Sequence, residues 1–274
     1  MRLHLTIRPL TQQCSLSLNY PYYLSSAIYH WIEQSSPAYS HFLHEQGFSP
    51  EHVTRKFRHF CFSRLAIPRR DTQSQPGRIV ILSPTIDWYV SMHVEESLRH
   101  FVTGVFEKQE FFIEREEFRF EIEQVEALPD PAWKERMSFR MLSPTTVSVP
   151  EVRNGRLTPT YLYHNDERLS GCLRDNMLNK YASLYGAPPE DTRFTCTIDN
   201  EFAESQHRKG RTTDKLITVR EHRGDETKIR GFLCPLTIEG NAELIMLAYV
   251  CGLGEKNSMG FGMMEAVQGG TSIR

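Results

Sequence analysis

Residues 1–10 read MRLHLTIRPL. Leu3, Leu5 and Ile7 alternate with His4, Thr6 and Arg8, the period of two expected of a strand with one buried face. Residues 24–33, LSSAIYHWIE, place Leu24, Ala27, Ile28 and Trp31 on one apolar stripe, which predicts a helix. Pro37 opens a second short helical piece that runs to about Glu45, and Gly47 stops it. Residues 57–67, FRHFCFSRLAI, alternate again as a strand does. Residues 78–82 and 87–92 read as further strand pieces around a turn at Ser83-Pro84. Residues 93–108 carry Val94, Leu98, Phe101, Val102 and Val105 at helical spacing, and residues 111–125 return to alternation. The order β-α-β-β-α-β predicts a ferredoxin-like unit.

Pro129-Asp130-Pro131 interrupts the pattern, and a second unit of the same order follows. Residues 137–149 read as a strand broken near Ser143-Pro144. Residues 166–185 read as a helix with Leu169, Leu173, Met177 and Leu178 on its stripe, and residues 194–202 as a strand. Residues 216–222 and 228–238 form a hairpin through Arg223-Gly224-Asp225. Residues 241–251 are a helix capped by Asn241, and residues 260–267 a closing strand. The connection 150–165 carries no assignment. The expected fold is α+β: two tandem ferredoxin-like (βαββαβ, RRM-like) domains with a C-terminal glycine-rich loop. The expected boundaries are residues 1–128, a linker at 129–136, and residues 137–274.

The chain has 274 residues, more than one typical domain of about 100–200. Hydrophobic residues at 39% and charged residues at 24% support packed cores and exclude wholesale disorder. The six cysteines, Cys14, Cys61, Cys172, Cys196, Cys234 and Cys251, are dispersed and form no CxxC, against a zinc ribbon. The first residues are a strand, not a charged-then-apolar leader. No stretch approaches the roughly 20 apolar residues of a membrane span. The expectation is a reduced, cytoplasmic protein with free thiols and no membrane partner.

The formal charge of −2 hides uneven segments. Residues 51–70 hold six Lys/Arg against one acid, and residues 207–230 hold eight against four. Residues 95–130 hold eleven acids against four Lys/Arg. Basic segments interleaved with Phe57, Phe60 and Phe62 suit a polyanion with stackable bases. Alternating aromatics in a strand are equally the mark of a core.

Residues 251–262 read CGLGEKNSMGFG. Gly252, Gly254, Gly260 and Gly262 allow backbone angles closed to other residues, so consecutive N–H groups can converge on an anion. Lys256, Asn257 and Ser258 add side-chain donors. The segment is neither GxxxxGK[ST] nor GxGxxG. A tight helix-to-strand turn explains the glycines as well as anion binding does.

Residues 252–263, GLGEKNSMGFGM, resemble the C-terminal glycine-rich loop of the CRISPR repeat-processing endoribonucleases, the sixth Cas family of RAMP-type proteins. Tyr22-Tyr23-Leu24, Ala27-Ile28-Tyr29 and Phe42-Leu43-His44-Glu45 are similar to that family's N-terminal region. Residues 139–147, FRMLSPTTV, resemble the opening strand of its second domain. The resemblance implies metal-independent cleavage of CRISPR precursor RNA within its repeats. The ribose 2′-OH attacks the adjacent phosphorus and the 5′-oxygen leaves, giving a 2′,3′-cyclic phosphate (or 3′-phosphate) and a 5′-OH.

Such a reaction needs a base near the 2′-OH, an acid near the 5′-oxygen and a cation for the phosphorane. By resemblance His44 is the general acid or base, Tyr29 a proton-transfer partner or phosphate ligand, and Lys56 the phosphate stabiliser. An insertion over residues 48–55 leaves Arg55 or Arg58 able to replace Lys56. His41, three residues from His44, is the rival histidine. Expected RNA contacts are Gly252, Gly254, Lys256, Asn257, Ser258, Gly260, Arg55, Arg58, Arg208, Lys209 and Arg211. No cofactor and no metal ligand set is expected. Repeat RNA is the expected partner; other Cas effector subunits and a homodimer are compatible with it. Two other readings compete: a repeat-RNA-binding module that does not cut, and an unrelated small-molecule enzyme on ferredoxin-like domains.

Overall fold

A five-stranded and a four-stranded antiparallel sheet, each with two main crossover helices, organise the computed structural model, which describes residues 1–51, 53–68, 71–153, 155–220 and 224–267. In chain order the first half comprises β1 (Arg2–Pro9), β2 (Cys14–Ser17), α1 (Pro21–Ser35), α2 (Pro37–His41), β3 (Phe60–Phe62), β4 (Thr72–Gln75), β5 (Arg78–Ile81), β6 (Ile86–Met92), α3 (Glu95–Glu107), β7 (Glu110–Ile113) and β8 (Arg115–Leu128). The second half comprises β9 (Arg136–Met141), β10 (Ser148–Arg153), β11 (Arg156–Tyr161), α4 (Leu169–Tyr185), β12 (Phe194–Ile198), α5 (Asn200–Arg208), β13 (Asp214–Val219), β14 (Thr227–Phe232), β15 (Leu236–Gly240), α6 (Ala242–Cys251) and β16 (Met264–Ala266).

The first sheet runs β3-β6-β1-β8, with β7 added at its edge, and the second runs β12-β15-β9-β16. Each has the fourth strand beside the first and the second at the edge, the order a βαββαβ path produces. The fold is therefore the tandem ferredoxin-like architecture that the alternation of periods predicts. Leu3, Leu5 and Ile7 are buried, as is the α1 stripe of Leu24, Ala27, Ile28 and Trp31. Burying Trp31 alone removes roughly 150–250 Å² from water, about 4–6 kcal/mol of transfer free energy. Its helix lies so close to α3 that a Cβ at Gly104 would come within 1.9 Å of the Trp31 carbonyl oxygen.

Several local expectations give way. Residues 57–67 are not one strand: β3 is three residues long, and His59 sits at φ 53°, which breaks the alternation. Phe57, Phe60 and Phe62 are buried, so they are core and not a stacking platform for bases. Cys61 between them is also buried, its Sγ 3.5 Å from the Val250 carbonyl of the second half, so both faces of β3 are covered. Residues 111–125 are a hairpin that turns at Glu114, φ 69°. Residues 194–202 split into β12 and α5, because Asp199 accepts from the Phe202 N–H at 2.8 Å and starts a helix. The unassigned stretch 150–165 contains most of the β10–β11 hairpin. Strand β5 leaves the main sheet and pairs with β2 and β4, neither of which was expected. Arg69 and Arg70 of the first basic segment, and Glu221, His222 and Arg223 of the second, lie outside the described residues.

The two halves are stapled by Arg2. Its guanidinium is buried, donates to the carbonyls of Met264 and Tyr249 at 2.8 Å each, and lies 3.5 Å from the Tyr249 ring centroid. Such a buried cation over an aromatic face is held by the ring quadrupole as well as by its hydrogen bonds. No helix among the described residues is long and apolar enough to cross a membrane.

Candidate active site

A cleft of about 460 Å³ opens where α1 and the segment 44–60 of the first half meet the glycine-rich loop of the second. Its lining includes Tyr29, His44 and Lys56 from one side and Gly254, Lys256, Asn257 and Ser258 from the other. Chain separations of about 200 residues are closed here, so only the tertiary fold assembles the site.

His44 lies in a π turn, Phe42–Gln46, that continues α2. A widened turn of this kind is common at functional sites, because it re-aims side chains. It places His44 on the cleft, whereas His41 is exposed but does not line it. The spacing of three residues had put both on one helical face. His44 Nδ1 lies 2.8 Å from Glu45 Oε1. A carboxylate on one ring nitrogen fixes the tautomer and leaves the other for proton transfer. The His44 ring stands edge-on to Tyr29, centroids 5.6 Å apart at 76°. Burial pushes the Tyr29 hydroxyl above its ordinary value, and this is opposed by the Arg58 charge and by hydrogen bonds to Ser258 and Arg58. Tyr29 therefore stays protonated at neutral pH.

The insertion before β3 is closed by a two-residue ladder. Phe48 N donates to Phe57 O at 2.8 Å, and Phe57 N to Phe48 O at 2.7 Å. This closure brings Lys56 back beside the π turn, where Nζ donates to Glu45 O at 2.5 Å. Arg55 reaches the other wall, with Nη2 3.1 Å from Glu255 Oε1. Arg58 donates to the carbonyls of Leu43 and His44.

The loop is knitted from within. Backbone N–H groups of Leu253, Glu255, Met259, Gly260 and Gly262 donate to carbonyls of the chain itself. Asn257 donates to Leu253 O and Phe261 O, and its Oδ1 accepts from Lys180, so both ends of its amide are paired. A Cβ at Gly254, φ 75°, would come within 2.4 Å of Thr146 O. One at Gly260 would meet Phe62 and Pro21 at 2.9 Å, and one at Gly252 the Asn257 amide at 2.6 Å. These glycines permit close docking of the loop, and Lys256 and Ser258 are the loop's outward polar side chains. Arg208, Lys209 and Arg211 lie away from this cleft, at the exposed end of α5 beside a second cavity.

Lys180 is the residue that reading the sequence missed. It is 2% exposed, and its Nζ donates to Gly252 O at 2.5 Å, Asn257 Oδ1 at 2.7 Å and Gly254 O at 2.9 Å. Burial pushes its ammonium down to about 8. Beside it, the Asn176 amide, in the orientation that satisfies both of its neighbours, donates to Gly254 O at 2.9 Å and accepts from Arg55 Nη1 at 3.2 Å. A signal existed: Asn176 and Lys180 fall on the buried stripe of α4 with Leu169, Leu173 and Met177. A lysine at a core position asks for internal acceptors.

His59, 3% exposed, also borders the cleft, its Nε2 2.9 Å from Ser183 Oγ. Burial, and then the charges of Lys180 and His93, push its imidazole down to about 3. Between that value and the ordinary 6.5 the unfolded chain binds a proton that the folded chain refuses. Stability is therefore full above about 6.5 and is lost as pH falls toward about 3, on the order of 1.4 kcal/mol per unit. Urea midpoints measured across this range should fall less steeply for His59→Gln than for the wild type. Equal slopes would remove His59 as the cause.

Comparison with known proteins places the chain in a family and the fold among solved structures. Residues 126–266 match the family described as CRISPR associated protein Cas6, C-terminal, and residues 15–125 match CRISPR-associated protein Cas6, N-terminal. The chain is 28% identical over 250 residues to the CRISPR-associated endoribonuclease Cas6 1 of Methanocaldococcus jannaschii, covering 91% of this chain and 87% of that protein. It is 28% identical over 268 residues to an endoribonuclease-like Cas6 protein of Pyrococcus furiosus, covering 98% and 99%. The solved structure of a Cas6-related gene product from Pyrococcus furiosus superposes with a TM-score of 0.80 at 26% identity, covering 98% of this chain and 99% of that one. A RAMP protein described as binding different RNA substrates shares the fold, with a TM-score of 0.78 at 24% identity, covering 98% and 100%.

Proposed function

Because the chain belongs to the Cas6 family of CRISPR-associated proteins, we propose that it is an endoribonuclease that cuts CRISPR precursor RNA within its repeats. The reading rests on one observation: His44, Tyr29 and Lys56 line the same cleft as the glycine-rich loop. The scissile phosphate sits between them. The 2′-oxygen bonds to phosphorus and the P–O5′ bond breaks, leaving a 2′,3′-cyclic phosphate and a 5′-OH. His44 carries the proton at one end of this displacement. Tyr29, held protonated, donates to the phosphate or relays the second proton. Lys56 and Arg55 offset the charge that grows on the phosphorane. No metal is required in this scheme. Residues 1–128 supply the acid–base side chains, residues 137–274 supply the loop, and residues 129–136 join them.

The test is a single-turnover assay on repeat RNA with protein and EDTA both in excess. Cleavage is expected to persist in EDTA, to leave the ends named above, and to stop when the scissile nucleotide is 2′-deoxy. Loss of cutting on chelation, restored by magnesium or manganese, would overturn the mechanism. A second reading, retention of repeat RNA without cutting, is favoured by the outward position of His44, whose side chain is 69% exposed and engaged by Glu45. Tight binding with intact RNA in the same assay would select it.

A further inference from the structure

Arg58 donates to the backbone on which His44 and Lys56 are carried, and it lines the cleft with Tyr29. Its Nε donates to Leu43 O at 2.8 Å and its Nη2 to His44 O at 2.6 Å. Its Nη1 donates to Lys56 O at 3.2 Å. Its charge also acts on the Tyr29 hydroxyl across the cleft, opposing the upward push of burial. A guanidinium has five N–H donors in one rigid plane, and most of them are directed here at the chain's own oxygens. Two of those oxygens belong to the end of the π turn, where carbonyls have lost their helical donors and a cation is favoured.

The backbone makes room for this arrangement. Gly47 ends the π turn at φ 61°, its N–H donating to Phe42 O at 2.8 Å. A Cβ there would come within 2.7 Å of Phe57 O and 3.5 Å of Arg58 Cζ and Nε. A Cβ at Gly47 would press on the Phe57 carbonyl, which immediately precedes Arg58, and only touch the guanidinium. Arg58 is fixed in sequence next to Phe57, which closes the ladder with Phe48, so its stem cannot drift from the turn it clamps.

We propose that Arg58 is a positioning residue, holding His44, Lys56 and Tyr29 in register across the π turn and the returning strand, and not a ligand of RNA phosphate. This rests on the endoribonuclease reading above. An RNA phosphate meets few uncommitted donors on Arg58. Lys256 and Ser258 on the opposite wall, and Lys56 at the site itself, are the groups that reach it.

Arg58→Gln and Arg58→Lys are compared with the wild type for single-turnover rate, dissociation constant over a salt series, and pH–rate profile. Both variants are expected to slow cleavage roughly 10- to 30-fold, as displaced catalytic groups do. Affinity should stay within about threefold, with an unchanged salt slope and a displaced pH–rate profile. Gly47→Ala, which leaves all charges in place, should reproduce the rate loss. The opposite pattern sinks the proposal: weaker binding, a salt slope smaller by about one, and an intact rate at saturation mark a phosphate ligand. Full rescue of rate by Arg58→Lys also sinks it, since a point charge would then suffice. If the wild type itself does not cut repeat RNA, it is the endoribonuclease reading that fails, and the two failures stay distinct.

Discussion

Replacing His44 with alanine is expected to slow single-turnover cleavage by roughly 10²–10⁴, the usual contribution of a positioned proton-transfer group. RNA affinity should change by no more than a few-fold. Affinity comes from many phosphate and base contacts, and His44 is an exposed side chain at one end of the cleft. His41→Ala is the matched control, since it removes an imidazole one turn away that does not line the cleft. Rate and dissociation constant must be read at one salt concentration, because affinity falls steeply with salt. If His41→Ala abolishes cutting and His44→Ala preserves it, the π turn has been assigned the wrong histidine. If both variants cut normally, the site is centred on Tyr29 and Lys56.

The second large effect is expected from Lys180→Met. An ammonium has three N–H donors, and Lys180 meets three acceptors: Gly252 O, Gly254 O and Asn257 Oδ1. Methionine fills similar volume and removes all three hydrogen bonds, leaving Gly252 O and Asn257 Oδ1 unpaired while Gly254 O keeps the Asn176 amide. At about 1 kcal/mol each the loop loses about 3 kcal/mol. That is roughly two orders of magnitude in an equilibrium constant, at 1.4 kcal/mol per tenfold. Removing the ammonium also removes its burial cost, so the measured loss in RNA affinity should lie at roughly 10- to 100-fold. The loop carries Lys256 and Ser258 into the cleft, so loosening it withdraws the second wall. A folded Lys180→Met protein that binds RNA as tightly as the wild type would reduce Lys180 to a packing residue.

How much of this was legible beforehand depends on the range of the interaction. The alternation of Leu3, Leu5 and Ile7 and the stripe of Leu24, Ala27, Ile28 and Trp31 are local, at spacings of two, three and four. Two βαββαβ orders followed from such patterns and reappear as two sheets of the same strand order. Asn241 announced the start of α6, where it accepts from the Glu243 N–H at 2.8 Å. Asp199 carried the same kind of signal for α5, but the alternation of Phe194 and Cys196 extended past it as a strand reading. Tertiary context decided the rest. Phe57, Phe60 and Phe62 looked equally suited to bases or to a core; all three are buried, Phe60 and Phe62 in the first half's own core, while the second half covers Cys61 on the opposite face of β3. The glycine-rich loop was recognisable as a segment, yet its backbone donors turn inward once Thr146, Pro144 and Lys180 reach it from 72 residues away or more. Strands and helices are set by the chain's own period, whereas the cleft exists only because Arg2, Lys180 and Arg55 join surfaces that no local pattern places side by side.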